Sequence, residues 1–80
     1  MDTQQLINSL RQELPPVFSR KVASRMTGGL FAPGTLANLD SMGQGPGGVR
    51  VGKAIAYERE RFLAWFEKRL VKKSTGSRGL

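Results

Sequence analysis

Three clusters of side chains in this chain could bind a polyanion. Two clusters are cationic, and the one between them consists of hydroxyl and amide groups. Lys and Arg neutralise phosphates and release counterions, whereas Asn, Thr and Ser can bond the edges of bases. The sequence therefore predicts phosphate contacts from the cationic clusters and base contacts from the polar cluster. In chain order the residues are Arg20, Lys21 and Arg25; Thr35, Asn38 and Ser41; and Arg50 and Lys53.

Each cluster also has a less specific interpretation. The cations could form an ordinary solvated face, and Asn38 could be an exposed or capping residue. The charge is unevenly placed: residues 1–18 hold one Arg against two acidic residues, whereas residues 19–80 hold twelve Lys or Arg against four. The formal net charge is +7 and the pI is near 10.9. This distribution favours a polyanionic partner, most simply nucleic acid, and the alternative is that the charge serves solubility alone.

Catalytic and metal chemistry lack their usual groups in this sequence. The chain has no Cys and no His, which removes disulfides, thiolate nucleophiles and the common zinc ligand sets. No pair of carboxylates stands apart from basic partners, so general acid–base chemistry has no evident site. We expect a protein that is not an enzyme and needs no cofactor or metal. No apolar run predicts a membrane span or a signal peptide, so we expect a cytoplasmic location.

Two short helices are predicted to present the first two clusters. Ser19 is a good N-cap for a helix over residues 19–27, and Gly28-Gly29 can end it in the left-handed conformation. Pro33 suits the first turn of a second helix over residues 32–41, whose residues 33–41 would be the recognition helix. The pattern predicts a helix-turn-helix, with the first helix crossing the DNA backbone. Asp40 is repelled by phosphate, so we expect it to cap or pair locally.

A basic hairpin is predicted after the glycine-rich loop at residues 43–48. The runs Val49-Arg50-Val51 and Ile55-Ala56-Tyr57 flank Gly52-Lys53-Ala54, with Val49, Val51, Ile55 and Tyr57 as alternating positions. Such a hairpin would be a wing over residues 49–57, with Arg50 on its outer side and Lys53 at its tip. The loop lacks the Gly-Lys-Ser/Thr ending of a phosphate-binding loop.

The two ends of the chain are predicted to be helical, with a disordered tail. Residues 3–14 have an amphipathic pattern that Pro15-Pro16 stops, and a helix over 59–73 would supply Phe62, Trp65 and Phe66 to the core. The apolar stripe of the first helix could pack on the domain or bind a second copy or another protein. We divide the chain into residues 1–16, residues 17–73 and a disordered tail at 74–80. That stripe consists of Leu6, Ile7, Leu10 and Leu14.

The predicted fold is mainly α with a small β-hairpin: a winged helix-turn-helix preceded by an extra N-terminal helix. Residues 17–70 resemble the excisionase and AlpA-like DNA-binding proteins of phage and prophage, which are related to the MerR-type winged helix. The resemblance rests on Thr35-Leu36-Ala37-Asn38-Leu39-Asp40-Ser41, Gly43-Gln44-Gly45-Pro46, Val49-Arg50-Val51-Gly52-Lys53, Ala56-Tyr57 and Phe62-Leu63-Ala64-Trp65-Phe66. It implies that Thr35 and Asn38 face the groove while Arg50 and Lys53 lie in the wing.

The functional prediction is a small duplex-DNA-binding protein, either a transcriptional regulator or an excision accessory factor. The alternative is a non-catalytic interaction module or dimerisation scaffold that uses the N-terminal helix. RNA binding is a weaker possibility, because no aromatic platform for single strands is visible.

Overall fold

A computed structural model describes residues 2–70 of the chain. This part contains four helices and a three-stranded antiparallel sheet, and it is a small mixed fold of helices and strands. The last helix was predicted to extend to residue 73, but it ends at Arg69, and residue 70 follows it. Residues 71–73 and the predicted tail at 74–80 lie outside the described residues. The elements are α1 (Thr3–Glu13), β1 (Val17–Ser19), α2 (Arg20–Met26), α3 (Pro33–Ser41), β2 (Val49–Val51), β3 (Ala54–Glu58) and α4 (Arg59–Arg69).

Local signals set most helix starts. Asp2 begins α1 with a capping box: its carboxylate accepts a hydrogen bond from the backbone amide of Gln5, and the side-chain oxygen of Gln5 accepts one from the backbone amide of Asp2. The Ser19 hydroxyl accepts from the amide of Val22, so the predicted cap of α2 is confirmed. Glu58 begins α4, because its carboxylate accepts hydrogen bonds from two backbone amides of the first turn.

The sheet has one strand more than the sequence predicted. The strand order is β1-β3-β2, so β3 lies in the middle and pairs with β1 through Phe18 and Tyr57. No strand was predicted over residues 17–18. Residues 17–19 form a strand because the free edge of β3 supplies hydrogen-bond partners for their backbone. Three such residues would not form a stable strand without that edge.

The hairpin register differs from the prediction by one residue. The turn is Gly52-Lys53 rather than a three-residue connection, and Gly52 supports it with φ +63°. The pairs are therefore Val49 with Ala56 and Val51 with Ala54. Since a one-residue slip moves side chains to the other face, the two valines do not share a face with Ile55 and Tyr57 as expected.

One hydrophobic core unites the described elements. It includes side chains from α1, both short helices, the sheet and α4. Phe62 and Phe66 lie in it as predicted, and Trp65 packs half-buried against it. This single core therefore includes residues from both sides of residue 16, where the first segment of the chain was predicted to end. The buried set is Ile7, Leu10, Leu14, Phe18, Ala23, Leu36, Tyr57, Phe62, Leu63 and Phe66.

The apolar stripe of α1 is covered within the chain itself. Ile7, Leu10 and Leu14 are buried, and Leu6 packs partly against the core. Arg11 of α1 also bonds Glu60 of α4 with an Nε–Oε2 distance of 3.1 Å. Of the two roles left open for this stripe, the structure shows packing on the domain, because α4 supplies the apolar surface it needs. No helix within residues 2–70 is long and apolar enough to cross a bilayer.

Candidate nucleic-acid interface

The two short helices α2 and α3 pack against each other across a six-residue connection. Gly28 and Gly29 adopt φ values of +68° and +80°, which an L side chain rarely adopts. The Thr27 hydroxyl donates to the carbonyl of Ala23, closing the end of α2. The glycines thus end the first helix as expected, but the connection is longer than the three or four residues of a tight helix-turn-helix.

Helix α3 presents an uncharged polar side to solvent. Leu36 anchors the helix in the core, while Thr35, Asn38 and Ser41 are exposed. The Ser41 hydroxyl donates to the backbone carbonyl of Asn38 at 2.8 Å, so in this rotamer it offers a partner only acceptor lone pairs. Asn38 keeps its side-chain amide free of any hydrogen bond described within residues 2–70. The predicted base-reading residues therefore lie together on one helix.

The three cations of α2 occupy two different environments. Lys21 and Arg25 are exposed, and neither forms an ion pair within the described part of the chain. Arg20 instead points inward: its Nη2 lies 2.9 Å from Oδ2 of Asp40, and its Nε donates to the Tyr57 hydroxyl at 3.0 Å. Lys21 and Arg25 are thus available to a phosphate, whereas Arg20 already has an anionic partner.

Asp40 is the centre of a polar cluster that connects α2, α3 and β3. Its Oδ2 accepts from Arg20 and, at 2.7 Å, from the hydroxyl of Tyr57. Its Oδ1 accepts from the backbone amide of Gly47 at 3.2 Å. The expectation that Asp40 pairs locally is confirmed. We call Arg20, Asp40 and Tyr57 the Asp40 cluster.

The electrostatics of the Asp40 cluster favour the ionised carboxylate. Burial raises the pKa of Asp40, but the hydrogen bonds from Arg20, Tyr57 and Gly47 outweigh it, so the pKa lies below its ordinary value. Burial raises the pKa of Tyr57 to about 12; the hydrogen bond from Arg20 opposes this rise, and the Asp40 acceptor adds to it. The hydrogen bonds to Asp40 and Tyr57 also raise the pKa of Arg20. The cluster thus stays a closed ion pair across the physiological range.

The hairpin places Arg50 on the same side of the sheet as α3. Arg50 pairs with Ile55, so it shares the sheet face of Ile55 and Tyr57 rather than the outer side that the sequence predicted. The reason is the two-residue turn described above. Asp40 of α3 bonds Tyr57 on this same face, so Arg50 and α3 lie on one side of the sheet. Both Arg50 and Lys53 are exposed.

The glycine-rich loop at residues 43–48 joins α3 to the hairpin by close packing. A Cβ on Gly48 would overlap the side chain of Ile55, so this position requires glycine. The indole Nε1 of Trp65 donates to the carbonyl of Gln44 at 2.8 Å, fixing the loop to α4. The loop is therefore a structural connection, in keeping with the absence of a phosphate-loop pattern.

Arg61 is a further cation near these groups, and no role was predicted for it from the sequence. It is exposed in the first turn of α4, and its Nη2 lies 3.2 Å from the position that a Cβ on Gly47 would take. Arg61 thus lies at the junction of α3 and the hairpin. In the sequence it looks like one more polar residue on an amphipathic helix, and only the packing of the loop reveals its position.

Comparisons with protein-family models, curated proteins and solved structures gave no match. The arrangement itself combines an uncharged, exposed side of α3 with exposed cations on α2 and on the hairpin. No group of three or more metal-ligating side chains occurs among the described residues. Chemically, such a surface can bind phosphates at its margins and form neutral hydrogen bonds at its centre.

Proposed function

We propose that this chain is a small winged helix-turn-helix protein that binds double-stranded DNA. In this proposal α3 enters the major groove, α2 lies over the backbone, and β2 and β3 form the wing. The observation that supports it best is the common side of α3 and Arg50, with the free cations Lys21 and Arg25 on the adjoining helix. Helix, wing and cations together match the layout that one duplex would contact.

The balance of contacts suggests how specificity would arise. Because α3 has no Lys or Arg, the common Arg-to-guanine contact is missing from its exposed side. Asn38 can bond adenine through its amide, and Thr35 can donate or accept. Affinity would therefore come mainly from phosphates, and sequence preference from a few neutral contacts together with DNA shape.

The proposal is tested by fluorescence anisotropy of a labelled duplex over a series of salt concentrations. We expect the affinity to fall steeply as salt rises, because bound phosphates release counterions. Lys21→Ala or Arg25→Ala should each reduce the log–log salt slope by about one. Arg11→Gln is the matched control, since it removes one positive charge on α1, where Arg11 already pairs with Glu60. A flat salt response would refute DNA binding.

Sequence reading is tested separately with a panel of duplexes. Asn38→Ala should change the order of preference among them, whereas Lys53→Ala should weaken binding to all of them alike. If the order of preference among the duplexes were unchanged in Asn38→Ala, the proposal that α3 enters the major groove would be wrong. The biological role as a phage-type transcriptional regulator or excision accessory factor rests on the resemblance of residues 17–70 and stays a prediction.

A further inference from the structure

An apolar surface covers the side of the sheet opposite Phe18, Ile55 and Tyr57. The strand register places on this side two residues of β1, two of β2 and three of β3, and all of them except Ser19 and Glu58 are apolar. The three valines among them are 52–60% exposed, and they are three of the five exposed large hydrophobic residues of the described part. We call this surface the outer sheet face, and its apolar residues are Val17, Val49, Val51, Ala54 and Ala56.

The outer sheet face is nearly uncharged in a chain whose net charge is +7. The only charged residue that the strand register places on this side is Glu58, which ends β3 beside Val17 and whose carboxylate also caps α4. Lys53 lies at the opposite end of β3, in the Gly52-Lys53 turn. The face is therefore apolar in the middle, acidic at one end and basic at the other. Two copies of this basic chain repel each other least through this surface.

We propose that the outer sheet face binds a second copy of this chain across a two-fold axis. When two such faces pack with their β3 strands antiparallel, the Lys53 end of each copy lies over the Glu58 end of the other. The twofold symmetry forms both charge pairs at once. An unrelated partner would have to supply an apolar patch with the same reversed charges. Self-association therefore uses the complementarity that the chain already has.

This dimer leaves the proposed DNA-binding surface free except at Lys53, which would pair with the Glu58 end of the second copy. Arg50 and α3 lie on the other side of the sheet, so each copy would keep both exposed. The apolar part of the face consists of five small side chains, far fewer than the roughly 20–30 residues per partner of a standard stable interface. We therefore expect reversible dimers that form at high protein concentration. The proposal does not depend on DNA binding, and it is tested without DNA.

The first test is sedimentation equilibrium of the full chain over a wide concentration range at moderate salt. Wild type should show a monomer–dimer equilibrium, and Val51→Lys should weaken it by roughly tenfold or more, because the new ammonium would be buried against apolar surface. Leu30→Lys is the matched control, since Leu30 is 72% exposed and lies in the α2–α3 connection. Circular dichroism confirms that each variant is folded.

The second test examines the charge pairs. Lys53→Glu should weaken dimerisation about fivefold, because two attractive pairs become repulsive. Lys21→Glu lowers the net charge equally but lies on α2, so it should leave dimerisation unchanged or slightly stronger. A wild-type monomer at all concentrations would overturn the proposal. So would equal dimerisation of Val51→Lys and wild type, loss of the dimer in Leu30→Lys, or equal weakening by the two charge reversals.

Discussion

Asp40→Asn should destabilise the fold more than any other single carboxylate neutralisation in the described chain. Asp40 accepts from Arg20, Tyr57 and the Gly47 amide, and its side chain is only 15% exposed. Hydrogen bonds to charged groups contribute about 1.5–3 kcal/mol each. In the Asn variant one acceptor becomes an N–H donor that faces other donors, so we expect a loss of about 3 kcal/mol. In a domain of this size this lowers the Tm by roughly 12–24 °C.

Urea unfolding followed by circular dichroism measures this loss. Glu13→Gln is the matched control, because Glu13 is exposed and forms no ion pair within residues 2–70. Its free energy of unfolding should stay within about 0.5 kcal/mol of wild type. If Asp40→Asn were equally mild, the Asp40 cluster would not hold α2, α3 and β3 together, and the reasoning would fail.

The pH dependence of the same variant gives an independent test. The folded pKa of Asp40 lies below its ordinary value of 3.8. Its contribution to stability is therefore complete above that pH and is lost as the pH falls through the folded pKa. The difference in free energy of unfolding between wild type and Asp40→Asn should be constant near neutral pH and narrow below pH 3.8. A difference that grows on acidification would contradict the sign of the shift.

Three further measurements test the packing of Tyr57, of the glycine-rich loop and of α1. Tyr57 is the only tyrosine, so the phenolate absorbance of the folded protein should titrate near pH 12 and that of the urea-unfolded protein near about 10. Because its pKa rises on folding, stability should fall as the pH increases from about 10 towards 12. Gly48→Ala should cost about 1–3 kcal/mol in urea unfolding, whereas Gly34→Ala, where a Cβ meets nothing within 4 Å, should be neutral or stabilising. Ile7→Ala should cost about 2–5 kcal/mol in thermal unfolding, and a loss below 1 kcal/mol would place α1 outside the core.

The helices could be predicted from the sequence because their signals are local. The Ser19 cap, the two glycines after α2 and Pro33 at the start of α3 each act within one or two turns of the chain. The aromatic stripe of α4 likewise predicted Phe62 and Phe66 in the core. Each of these features depends on residues that are close neighbours in sequence.

The features that were not predicted from the sequence depend on partners that are distant along the chain. Strand β1 exists because β3 offers an edge some forty residues later, and nothing local marks residues 17–19 as a strand. The hairpin was expected with a three-residue connection, and the two-residue turn reversed the faces of Val49, Val51 and Arg50. Arg20 was predicted as a phosphate contact like Lys21, and only the folded chain shows that it meets Asp40.

The Asp40 cluster also bears on how the proposed interface would work. One carboxylate bonds α2 through Arg20, β3 through Tyr57 and the glycine-rich loop through Gly47, while itself belonging to α3. Helix α3 and the hairpin therefore share a half-buried anchor and should move as one body. A rigid pair of elements reaches the groove and the backbone with little ordering cost on binding. Loss of Asp40 should thus weaken DNA binding even though Asp40 itself, being anionic, would never contact a phosphate.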